Sequence, residues 1–159
     1  MIFVTVGTQK FQFNRLLQKI DELIESGVIK EEVYAQTGYC TYKPKNYRYK
    51  DFMGKDEMLE NQLRASFLIV HGGTGAIIEG IKLSKPVIAV PRLKEFHEHV
   101  DDHQVEIVEE FTNDGIISGS RNIDDLGNLV TEIMNKRFVT YISNKDGFIS
   151  YLSELIESF

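Results

Sequence analysis

The sequence predicts an α/β fold, a Rossmann-like parallel sheet with helices on both faces. Three observations carry that expectation. Apolar strand-like runs alternate with segments of helical periodicity along the chain. The stretch FLIVHGGTGAIIEGIKLSKPVIAVP sets a buried strand, a glycine turn, a helix and a second buried strand in immediate succession. Turns at Gly7-Thr8 and at His71-Gly72-Gly73-Thr74-Gly75 also follow strands directly, where ligands bind in open sheets of this kind.

Each element has its own signal. Ile2 to Val6 is an apolar run ending at Gly7-Thr8, a strand and its turn. Leu16, Leu17, Ile20, Leu23 and Ile24 recur at helical spacing, and Gly27 stops that helix. Glu32 to Thr37 alternates as a strand closed by Gly38, and a third strand falls within Tyr47 to Phe52. A helix is expected within Lys55 to Arg64, then a strand from Phe67 to Val70. A helix from Gly75 to Leu83 and a strand from Val87 to Val90 come next. A helix from about His99 to Phe111, a short strand from Gly115 to Ile117, and helices near Ile123 to Met134 and Lys145 to Ser158 complete the chain.

Composition narrows the function classes. A chain of 159 residues suits one well-buried domain, and no internal repeat or linker divides it. With 18 Lys and Arg against 24 Asp and Glu, the net charge of −6 disfavours general nucleic-acid binding. The single cysteine, Cys40, cannot form an internal disulfide and fits a reducing compartment. No apolar stretch approaches the roughly 20 residues that span a bilayer, and MIFVTVGTQ lacks the basic start of a signal peptide. A cytoplasmic location is expected.

The glycine turn carries the chemistry. Gly72, Gly73, Thr74 and Gly75 stand where backbone N–H groups at a helix N-terminus can hold a phosphate. Glu79, a turn and a half further on, can reach sugar hydroxyls of the same ligand. This points to a nucleotide diphosphate, and above all to a nucleotide-sugar. The stretch has neither the GxGxxG spacing of a dinucleotide site nor the GK[ST] ending of a P-loop. Two plainer roles stand beside these: a glycine turn that only brings strand and helix together, and a solvent-facing helical acid.

With these residues in view, the chain resembles the donor-binding C-terminal half of family 28 glycosyltransferases. The resemblance is strongest to the small cytosolic subunit of two-component transferases. These include the eukaryotic subunit that adds the second N-acetylglucosamine to lipid-linked chitobiose, and bacterial exopolysaccharide or capsule counterparts. It rests on FVTVGTQKFQFNRLL, on DFMGKDEMLENQLRASFLIVHGGTGAIIEGIKLSKPVIAVP and on DDHQVEIVEEF, about two-thirds of the chain in the same order. It implies a GT-B C-terminal half-domain, a UDP-sugar donor and an inverting transfer with no bound metal or other cofactor. By the same resemblance Gly72, Gly73, Thr74 and Gly75 hold the donor diphosphate and Glu79 the ribose hydroxyls. Phe52 and Met53 touch the uracil, Gly7 and Thr8 face the cleft, and His103 with Gln104 lies near the donor sugar. Asp102 stands where the family often has Asn. The general base and the lipid-linked acceptor are expected from a membrane-attached partner subunit, which would recruit the chain to the inner face of the membrane.

Other residues support rival readings. His97, His99 and His103 with Asp101 and Asp102 form HEHVDDH, close to a metallo-hydrolase zinc motif. The spacing is one residue too long, no histidine follows, and helical periodicity leaves His97 off the face shared by His99 and His103. His71 is either a satisfied histidine at a strand end or a general base within reach of its proton. Four tyrosines between Tyr39 and Tyr49 interleave with Lys43, Lys45 and Arg48, either packed along a hairpin or facing a partner or a phospholipid-linked acceptor. Phe148, Tyr151, Leu152, Leu155, Ile156 and Phe159 form an apolar stripe that packs on the core or docks on a second subunit. The function expected is a catalytic donor-binding subunit acting in exopolysaccharide or capsule assembly. The alternative is a non-catalytic nucleotide-sugar-binding or scaffolding module.

Overall fold

A computed structural model describes residues 1–141 of the chain. Six strands form one sheet in the order β3-β2-β1-β4-β5-β6, and every pairing is parallel. They are β1 (Ile2–Thr5), β2 (Val33–Gln36), β3 (Arg48–Lys50), β4 (Phe67–His71), β5 (Val87–Val90) and β6 (Ser118–Gly119). The helices are α1 (Asn14–Glu25), α2 (Lys55–Arg64), α3 (Thr74–Lys82), α4 (His103–Asn113) and α5 (Leu126–Glu132).

The apolar runs are explained by burial on two faces. Val4, Ile69 and Ile88 point to one side, where Leu16, Leu17 and Ile20 of α1 and Leu126 of α5 cover them. Phe3, Leu68, Val70 and Ala89 point to the other, against Ile77 of α3 and Val108 of α4. Parallel strands covered by helices on both sides lose alternation for this reason. Chain order reverses between β1 and β4, which are hydrogen-bonded neighbours although two strands separate them in sequence. The loops leaving their carboxyl ends diverge, so the sheet opens a crevice at that switch point.

Three elements differ from the sequence expectation. The helix expected from His99 starts at His103, because the acids before it bond to backbone instead. Asp102 Oδ1 accepts from the Lys94 N–H at 2.9 Å and Asp101 Oδ1 from the His103 N–H at 3.2 Å. The strand expected at Gly115 to Ile117 lies at Ser118–Gly119. The N–H groups of Ile116 and Ile117 turn back to the Phe111 carbonyl and finish α4. The helix expected at Ile123 to Met134 is α5 flanked by 3₁₀ turns at Ile123–Asp125 and Ile133–Asn135. The expected helix from Lys145 to Ser158, with its apolar stripe, lies outside the described residues.

The tyrosine-rich segment divides between packing and exposure. The Tyr42 hydroxyl donates to buried Asp21 at 2.7 Å, which pushes its pKa up to about 12, and the Tyr47 hydroxyl donates to the Leu17 carbonyl at 2.9 Å. Tyr39 and Tyr49 stay exposed.

Candidate functional site

The crevice between the β1 and β4 loops holds a cavity of about 440 Å³. Its walls are the turn after β1, the start of α3, and side chains from β2, α2 and α4. Gln36 ties two of these parts together. Thr5 Oγ1 donates to Gln36 Oε1 at 2.8 Å, while Gln36 Nε2 donates to the Gly7 carbonyl at 3.2 Å and the Asp51 carbonyl at 2.9 Å. The turns after β1 and β3 are therefore held at fixed spacing by one buried amide.

The start of α3 is built for an anion. Gly73 is its N-cap in an extended conformation (φ −78°, ψ 128°), and no side chain caps it. The first N–H groups of a helix lack intrahelical acceptors, and the helix dipole adds positive potential there. Gly73, Thr74, Gly75 and Ala76 all line the cavity. Glu79 stands further along the same wall, and its Oε2 accepts from Gln62 Nε2 at 3.0 Å. A carboxylate held by one amide keeps acceptor capacity for ligand hydroxyls.

His71 fills the space between the two glycine turns. A β-carbon on Gly7 would come within 2.7 Å of its Cε1, and one on Gly73 within 2.5 Å of its Nε2. Burial, then the positive charge of Arg92, pushes the His71 pKa down to about 4. The Thr5 carbonyl opposes that shift weakly, without a well-directed bond to Nδ1, which has no partner among the described residues. The ring is neutral at neutral pH and is a weak base.

The expected site residues fall into three groups. Gly7, Thr8, Met53, Gly73, Thr74, Gly75, Glu79 and Gln104 share the cavity. Gly72 does not line it. A β-carbon there would lie 2.9 Å from both Gln104 Cβ and Val108 Cγ2, so this glycine lets α4 approach β4. Phe52 and His103 are also off the cavity wall. Phe52 is exposed and meets Tyr39 edge-on, with ring centroids 5.1 Å apart, and exposed His103 faces Glu106 at 3.3 Å. Gln104 is buried, and its Oε1 accepts from the Arg92 backbone N–H at 3.1 Å.

Thr5, Gln36 and Met58 join the site without having been singled out for it, and His71, weighed as a core histidine or a base, lines it too. Thr5 and Gln36 had a usable signal, a polar residue closing an otherwise apolar strand just before a glycine. The histidines of HEHVDDH scatter. His97 has a left-handed backbone (φ 55°), and His99 pairs with Asp101 at 2.9 Å while stacking on Phe11. Among the described residues, no cluster of three His, Cys, Asp or Glu could hold a metal ion. A larger depression, about 740 Å³, lies beyond the other side of α4 between Arg15, Phe96, Glu109 and Ser120. It contains none of the glycine turns, so position at the switch point, and not size, selects the smaller cavity.

Comparison with known proteins identifies the family of the chain. The model of the glycosyltransferase family 28 C-terminal domain matches residues 1–155. The chain belongs to that family. Among curated relatives, the UDP-N-acetylglucosamine transferase subunit ALG13 of Mus musculus is 27% identical over 71% of this chain and 10% of its own length. The Yarrowia lipolytica subunit of the same name is 26% identical over 65% of this chain and 52% of its own. The chain thus spans about half of one of these relatives and a tenth of the other. Among solved structures, the glycotransferase of kitacinnamycin superposes with a TM-score of 0.63 at 17% identity, over 85% of this chain and 35% of that one. The solution structure of ALG13 superposes with a TM-score of 0.56 at 18% identity, over 95% of this chain and 94% of that one. The fold is that of the C-terminal half-domain of GT-B glycosyltransferases.

Proposed function

We propose that this chain is the UDP-sugar-binding catalytic subunit of a two-component inverting glycosyltransferase. One observation carries the reading: an uncapped glycine start of α3 and the carboxylate of Glu79 share one cavity at the switch point. In this reading the diphosphate sits against the N–H groups from Gly73 to Ala76, in contact with neutral His71. Glu79 accepts from the ribose hydroxyls, Met53 borders the uracil, and the Gln104 amide faces the sugar.

The acceptor hydroxyl attacks the anomeric carbon as its bond to the UDP oxygen breaks, with inversion. Negative charge then grows on the diphosphate, where fixed N–H dipoles and the helix terminus stabilise it without a metal. The acceptor proton leaves to a base outside this cavity. A membrane-attached subunit supplies that base and presents a lipid-linked acceptor, recruiting this chain to the cytoplasmic face of the membrane. No helix among the described residues is long and apolar enough to cross a membrane. Exopolysaccharide or capsule assembly is the proposed setting. Calorimetry against a panel of UDP-sugars tests the donor, and absence of binding by any of them would overturn the reading.

One observation favours a second reading, a non-catalytic nucleotide-sugar-binding module. Among the described residues, the histidine of the cavity, His71, is a weak base with its pKa pushed down to about 4. Donor binding without turnover in the reconstituted complex would establish that alternative.

A further inference from the structure

Arg92 follows β5, is completely buried, and plays no part in the donor contacts described above. Its Nη2 donates to the carbonyl of Val6 at 2.5 Å and that of Phe11 at 3.3 Å. Those two carbonyls bracket the loop whose residues Gly7, Thr8 and Gln9 line the cavity. Its backbone N–H donates to Gln104 Oε1 on another wall. Nε and Nη1 have no hydrogen-bond partner among the described residues.

Among the described residues this guanidinium faces the Phe13 ring, 5.7 Å from its centroid, and forms no ion pair. The carboxylate beside it in the fold, Glu98, is taken at both oxygens by Arg15, at 3.1 and 2.9 Å. Arg15 thus pairs with Glu98, and Arg92 has no ion-pair partner among the described residues. Burial lowers the Arg92 pKa, but from a range so high that the group stays charged. An unmatched buried charge is costly to a fold, and a nearby anion offsets that cost. Its field reaches the cavity, because Arg92 helps to hold His71 in its neutral form.

We propose that Arg92 is a positioning residue for the donor diphosphate. Its Nη2 group ties the two ends of the loop at residues 6–11, and its unpaired charge favours an anionic ligand in the cavity over a neutral one. This rests on the donor reading above.

The test compares UDP with uridine, which shares the base and ribose but has no phosphate. Binding of each is measured by calorimetry to the wild-type chain, Arg92→Met, Arg92→Gln and Arg92→Lys. Thermal melting establishes which variants fold. The neutral variants should lose UDP affinity on the order of tenfold, the scale of one charge acting through a partly buried medium. Their uridine affinity should change little, and Arg92→Lys should keep most of the preference for UDP. If Arg92→Met does not fold, Arg92→Gln, which retains a donor for the Val6 carbonyl, is read in its place. A folded neutral variant with the wild-type ratio of UDP to uridine affinity overturns this proposal alone. A wild-type chain that binds neither ligand overturns the donor reading and this proposal with it.

Discussion

The imidazole of His71 stands where a side chain on Gly73 would have to go. A β-carbon at Gly73 would lie 2.5 Å from His71 Nε2, although the Gly73 backbone (φ −78°) is open to any residue. The glycine is therefore required by the neighbouring ring, and substitution is a steric test of the site without backbone strain. Gly73→Ala should displace the ring or the start of α3 and destabilise the fold by about 1–3 kcal/mol. UDP affinity should fall further than stability explains. Calorimetry on a variant with native circular dichroism checks this, and unchanged UDP affinity would remove the loop from the site.

Glu79 gives a chemically specific test. Its carboxylate, held by Gln62 at 3.0 Å, should accept from ribose hydroxyls. Glu79→Ala should weaken UDP by about 1–3 kcal/mol. The same change should cost much less against 2′-deoxy-UDP, since part of the bond is already missing in that ligand. Equal losses for both ligands would place Glu79 elsewhere.

His71 makes stability depend on pH over a defined window. Its folded pKa of about 4 lies below the ordinary 6.5, so between those values the unfolded chain binds a proton that the folded chain refuses. Stability from this group is therefore complete above pH 6.5 and falls as pH drops toward 4. The loss should total roughly 3 kcal/mol. Below pH 4 both states are protonated and the decline from this source stops. Arg92 beside the ring is charged throughout the window, so it does not move the limits. Melting temperatures at pH 7 and pH 5 should differ more for the wild-type chain than for His71→Asn. Parallel curves would show that the ring is not held neutral.

Much of this site was legible because glycines and terminal polar residues answer to local geometry. The apolar runs of β4 and β5 and the glycines between them are dictated by burial on two faces and by one close approach. Gly72 was read as part of the phosphate loop, yet its constraint comes from α4, more than thirty residues later in the chain. The start of α4 was misplaced because Asp101 and Asp102 bond to backbone, a choice that helical periodicity does not record. Arg92 was missed for a related reason. Nothing in PRLKEF marks it as buried, and only the fold brings it to the carbonyls of Val6 and Phe11.

Metal removal separates the donor reading from the zinc reading of HEHVDDH. The diphosphate is expected to meet backbone N–H groups, so EDTA should leave UDP affinity unchanged. His99 and His103 each face a carboxylate of their own, at 2.9 and 3.3 Å, and do not converge. A large loss of binding on chelation, restored by zinc or magnesium, would make ligands of them.

Turnover is the final expectation, and it concerns the missing base. Attack by an acceptor hydroxyl needs a group that takes its proton near neutral pH. In the cavity, His71 has its pKa pushed down to about 4, and Glu79, which accepts from Gln62, is expected at the ribose. The base is therefore expected from the partner. The purified chain should therefore bind UDP-sugar yet transfer little or none of it to a lipid-linked acceptor. Co-expression with a membrane-attached acceptor-binding subunit should raise transfer from near zero. The exposed Phe96 and Val100, on the loop before α4, are expected to meet that subunit, as is the segment 148–159, whose apolar residues recur at helical spacing in the sequence. Deleting residues 148–159 should abolish co-purification if the stripe docks there, while UDP affinity stays unchanged. Robust transfer by the chain alone would mean that its own residues supply the base, and the two-component account would fail.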